Sequence, residues 1–106
     1  MTTFNDREKA FESKFAHDAE LQFKVAARRN KLLGLWLAGP LGEADADAYA
    51  RSVVVADLQE AGDEDVMRKV MADIAAKGAA VTEADVRAKL AALEAEAKIQ
   101  IMSEID

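Results

Sequence analysis

The single histidine, His17, stands beside Asp18 and four residues after Ser13, which are the residue types of a base, an orienting carboxylate and a nucleophile. No strained nucleophile turn or oxyanion motif surrounds them, so no catalytic residue is assigned and the chain is not expected to be an enzyme. Asp63, Glu64 and Asp65 could offer oxygens to a hard cation. Three consecutive residues project in different directions, so they are read as helix-start chemistry and no metal site is assigned. There is no cysteine, hence no thiolate ligand or disulfide. Neither a phosphate-cradling glycine loop nor a dinucleotide fingerprint is present, and no cofactor is expected. The remaining chemistry is that of contact. On a helix Phe4, Phe11 and Phe15 fall within about 40° of one another, giving an aromatic stripe flanked by Arg7, Lys9 and Lys14.

The elements that must carry this stripe follow from the apolar spacing. Residues 1–17 hold no Leu, Ile or Val. They are expected to form a mobile, partly helical segment, with Thr3 and Asp6 at capping-box spacing and Asp18 as a second start signal. A helix over about 18–38 follows. Leu21, Val25, Leu32 and Trp36 lie within about 60° as its core wedge, and Lys24, Arg28 and Lys31 are read as a basic face opposite. Gly34 inside this helix costs about 1 kcal/mol against Ala, which suggests close approach of a neighbouring backbone. Gly39, Pro40 and Gly42 mark its end.

A second helix is expected over about 43–61, its inner side formed by Ala46, Tyr49, Ala50, Val53, Ala56 and Leu58, and ended by Gly62. A third, over 63–77, starts at an Asp63 cap, carries Val66, Val70 and Ile74 with Met67 and Met71, and closes at Gly78. A fourth, over 82–103, has Thr82 and Asp85 as a capping box and Val81 and Val86 as a staple. Its stripe is Val86, Leu90, Leu93, Ala97 and Ile101. Four amphipathic helices with short links bury their faces only together. The expected fold is an all-α, single-domain four-helix bundle over 18–106, preceded by the segment 1–17.

The net charge of −6 is unevenly placed. Residues 1–40 carry seven Lys/Arg against five Asp/Glu, and residues 41–106 carry seven against fifteen. An acidic body repels phosphates, so nucleic acid is not an expected partner. A basic N-terminal third suits an acidic protein surface instead. The first residues have no apolar run for a leader or membrane span, and the chain is expected to be soluble and cytoplasmic, without membrane insertion.

The run FAHDAELQFKVAARRNKLLGLWLAG, from Phe15 to Gly39, is preceded by MTTFNDREKAFESK and followed at Ala61 by AGDEDVMRKV. It closely resembles the ATPase inhibitor subunit zeta of bacterial F-type ATP synthases. Asn5 and Met67 depart from that pattern, standing where an acid and an aromatic are expected. The resemblance implies a four-helix protein that binds the catalytic head and blocks ATP hydrolysis. Its N-terminal segment would enter a catalytic interface between alpha and beta subunits near the gamma stalk, at the cytoplasmic face of the membrane enzyme. By position, the resemblance places Phe4, Asp6, Arg7, Glu8, Phe11, Lys14, Phe15 and His17 in the inhibitory stretch. It places Arg28, Arg29 and Asn30 where they could orient or support it. A His17 contact with an acidic group would strengthen as pH falls. The alternative is a small helical module holding an adenine nucleotide weakly in a bundle crevice beside the basic residues.

Overall fold

The computed structural model describes the backbone of residues 3–57 and 63–104, with side chains from residue 9 onward. Five helices occupy these residues: α1 (Thr3–His17), α2 (Ala19–Leu41), α3 (Ala46–Asp57), α4 (Glu64–Lys77) and α5 (Glu83–Glu104). The chain is all-helical as expected, but segment 1–17 contributes a full helix ahead of the four foreseen. The side chains of the Thr3/Asp6 capping box, and the residues Leu58 and Gly62, lie outside what the structure describes.

α2 is the central rod and packs against each of the other four helices. Asp18 starts it: the backbone is extended there, and the carboxylate accepts from the N–H groups of Glu20 (3.0 Å) and Leu21 (3.2 Å). The helix runs past the expected break, through Pro40 to Leu41. Proline in a last turn withholds one N–H but leaves the backbone helical, so Leu41 is still carried into the core. Gly42 then takes φ 68°, its N–H bonding Gly39 O while Glu43 N bonds Ala38 O, a Schellman closure that only a residue tolerant of positive φ makes cheaply.

α3 starts at Ala46, later than expected, because Asp45 caps it by accepting from Ala48 N at 3.0 Å. α4 begins without a side-chain cap. Asp63 was the expected cap, but its carboxylate is drawn 2.8 Å to Arg29 of α2. Gly78 closes α4 at φ 63°. The Thr82/Asp85 box is reciprocal at 3.1 Å in both directions, and starts α5 as the sequence indicates.

The buried side chains form two groups. The larger comprises Leu33, Leu37, Ala38 and Leu41 of α2, Tyr49 and Val53 of α3, Val66, Met67, Val70 and Ile74 of α4, and Val86 and Leu90 of α5. The smaller joins Phe11 of α1 to Leu21, Val25, Ala97, Ile101 and Met102. Along α2 the buried line is therefore Leu21, Val25, Arg29, Leu33, Leu37 and Leu41, at strict spacing four. The expected wedge departs from it after Val25: Leu32 is only half-buried and outside both groups, and Trp36 and Leu93 pack half-buried at the core's edge. Lys89 Nζ sits 5.5 Å over the Trp36 ring. A spacing of four advances the stripe about 40° per step, so one rod faces α1 and α5 at one end and α3 and α4 at the other.

Gly34 meets the expectation of a close backbone. A Cβ there would stand 2.5 Å from Ala50 Cα and 3.2 Å from Ala50 N. Gly34→Ala is expected to cost about 1–3 kcal/mol in denaturant melts despite its better helix propensity, because α2 and α3 must move apart to admit it.

Candidate partner-binding surface

Backbone and packing position α1 through few links. Gln22 Nε2 donates to the Phe15 carbonyl at 2.9 Å, holding the last turn of α1 against the first turns of α2 across the Asp18 corner. Phe11 is 5% exposed in the small core group, and Phe15 stacks on it at 6.2 Å between centroids. Lys98 of α5 lies over the Phe15 ring at 4.6 Å and 3.9 Å from the Glu12 carboxylate. Lys14 and His17 are exposed. Phe4, Asp6, Arg7 and Glu8 fall on α1, with side chains outside the described residues.

The structure thus joins Phe11 and Phe15 as one stripe but turns it inward. The absence of aliphatic residues before Leu21 suggested that this stripe has no core role; α2 and α5 supply the aliphatic partners instead. Phe11→Ala is accordingly expected to loosen α1. Its global cost should stay below the ~3–5 kcal/mol of a deep-core Phe→Ala, because α1 can lift away before the larger core is strained. Amide exchange in α1 should quicken in the variant; unchanged α1 exchange would contradict the packing.

Lys24, Arg28 and Lys31 cluster on one side of α2, with Lys24 and Lys31 exposed, but Arg28 sits at the edge of the wedge and not opposite it. Seven residues are about 20° short of two turns, so Arg28 lies beside Leu21. It turns to the end of α5, donating to Gln100 Oε1 at 2.8 Å and pairing through both terminal nitrogens with Glu104. Arg29 is 5% exposed and interrupts the apolar line. Its guanidinium reaches Asp63 at 2.8 Å and Glu94 at 3.4 Å, and donates to Asn30 Oδ1 through Nε and Nη2. Asn30 is fully buried, and its amide nitrogen has no hydrogen-bond partner among the described residues. Arg29 and Asn30 form a polar layer between the two apolar groups, tying α2, α5 and the start of α4 together.

A family described as ATPase inhibitor subunit zeta matches residues 1–100, spanning α1 through most of α5. The chain belongs to this family. No curated protein matches the sequence. As a member of a zeta inhibitor family, the chain has a regulatory rather than a catalytic place beside an ATPase. Among the described residues no helix is long and apolar enough to cross a membrane.

Among the described residues of this zeta protein, Arg29 and Asn30 brace the bundle and make no hydrogen bond or ion pair to α1. Sequence reading missed that role, although an arginine four residues from both Val25 and Leu33 is its signal. The same layer perturbs Asp57 at the end of α3. Burial raises its carboxyl above the ordinary carboxylate range, partly countered by the Arg29 charge, with Asp63 and Asp65 adding to the rise. A raised carboxyl binds its proton more tightly folded than unfolded. It contributes stability below the unfolded value that is lost as pH rises through the folded one. Asp57→Asn is therefore expected to stabilise the protein at pH 7, and the gain should shrink as the pH falls into the acid range; melts at pH 7 and pH 4 compare the two.

Proposed function

We propose that this protein inhibits ATP hydrolysis by an F-type ATP synthase by inserting residues 1–17 at a catalytic interface between alpha and beta subunits, close to the gamma stalk. Residues 18–106 act as the body that remains outside. Phe4, Asp6, Arg7, Glu8, Phe11, Lys14, Phe15 and His17 form the inserted surface, and the setting is the cytoplasmic face of the membrane enzyme.

One observation carries the reading: among the described residues α1 is held to the body by a small apolar patch, one ion pair and a side-chain clasp at its last turn. Lifting it exposes one buried and one half-buried phenylalanine, at roughly 1.5–3 kcal/mol for each fully buried ring. An interface that re-buries both rings offsets that cost, and aromatic and arginine side chains commonly dominate such interfaces.

The test is to pin α1 in place. The chain has no cysteine, so Glu12→Cys with Lys98→Cys gives a unique pair for a short bismaleimide. The cross-linked protein should lose inhibition of a purified ATPase head, while the uncross-linked double variant keeps it. Full inhibition by the pinned protein would rule out insertion of a freed α1.

A further inference from the structure

The seam between α2 and α3 carries a cluster of cations on an otherwise acidic body. From the tight Gly34 and Ala50 contact it runs toward the start of α2 as two adjoining crevices of about 410 and 560 Å³. Lys31 and Val54 line both. Arg51 with Ala50 and Asp47 completes the first, and Phe23, Lys24, Ala27, Arg28, Ile101 and Glu104 the second.

Two features set this seam apart. Phe23 is 56% exposed, on a helix whose other large side chains are mostly covered. Four cations border the seam in a chain of net charge −6. Arg28 is matched by Glu104, and Lys24 stands 3.5 Å from Glu20, whereas Lys31 and Arg51 form no ion pair among the described residues. Glu104 registers the local field. Its carboxyl is held below the ordinary range by the Arg28 hydrogen bond, with Lys24 and Lys31 acting in the same direction.

We propose that the α2–α3 seam docks an acidic amphipathic helix of the ATPase head, as a second contact beside the inserted segment. The proposal rests on the function given above. Residues 23 to 31 rise about 12 Å along α2, the span of about two turns of a docked helix. Phe23, Ala27, Val54 and Ile101 offer that helix an apolar floor, and the flanking cations suit its acidic side. A bare phosphate would gain nothing from the apolar floor, and the cations line the seam instead of converging on a point. The seam also begins five residues after the Asp18 corner from which α1 would swing, so a body held here keeps the inserting segment at its entry point.

The test uses the full-length protein and a purified ATPase head. Lys31→Glu and Phe23→Ser alter exposed side chains, and each is expected to raise the Kd about tenfold. Lys77→Glu, with the same charge change on α4 outside the seam, should change it less than about twofold. Added salt should weaken wild-type binding more than that of Lys31→Glu. Wild-type affinity in both seam variants, alongside intact inhibition, would overturn the seam while leaving the inserted segment standing. Failure of the wild-type protein to bind the head at all would remove both. Displacement of the head by millimolar ATP, with NMR shifts centred on Phe23 and Val54, would reassign the seam to a nucleotide and overturn the proposal.

Discussion

A chain lacking residues 1–17 is expected to keep its bundle and lose inhibition. Among the described residues the larger apolar group draws only on α2 to α5, and the polar layer around Arg29 takes no partner from α1. The truncation bares Leu21, Val25, Ala97, Ile101 and Met102, so stability should fall by about 1.5–3 kcal/mol, the worth of one buried phenylalanine, without collapse. Two aromatic anchors worth at least about 2 kcal/mol each correspond to roughly a thousandfold in Kd. Thermal unfolding and ATPase inhibition measured on the same truncate decide the matter. A stable truncate that still inhibits fully would move the active surface onto the bundle, and an unfolded one would make α1 part of the core.

Leu33→Ala is expected to cost about 2–5 kcal/mol, and Leu32→Ala about 1 kcal/mol or less. Leu33 is fully buried between Gly34 and the polar layer, in the larger group, while Leu32 is half-buried beside it. Paired denaturant melts of the two variants read the register of α2 directly. Equal losses would mean that α2 is rotated from the orientation described.

This register is also where the sequence was least legible. Leu32, Leu33, Leu35 and Leu37 surround the helix with apolar side chains, so within KLLGLWL periodicity cannot choose a face. The choice is made from outside: Gly34 must face Ala50, and Leu33 and Leu37 follow it inward. Features fixed by near neighbours were readable, among them the Thr82/Asp85 box and the Gly78 stop, and a glycine inside a helix was enough to signal a close approach at Gly34 without naming its partner. Features settled by distant partners were not. Asp63 looks like a cap until Arg29, thirty-four residues away, competes for its carboxylate. Phe11 looks solvent-bound until α5 supplies Ala97, Ile101 and Met102. For the contact surface, the aromatic stripe was visible as a set of residues, but its inward orientation was not.

The polar layer at Arg29 and Asn30 has a consequence for how the molecule comes apart. Apolar burial is cooperative only where side chains share neighbours, and this layer separates the Phe11 group from the Leu33 group in a molecule 49 Å long and about 25 Å across. The two ends then behave as separate foldons. The smaller can open while the larger stays closed, at a free energy set by a handful of side chains and not by the whole protein. Marginal stability placed at one end in this way lets a folded protein release a helix on demand without passing through an unfolded chain.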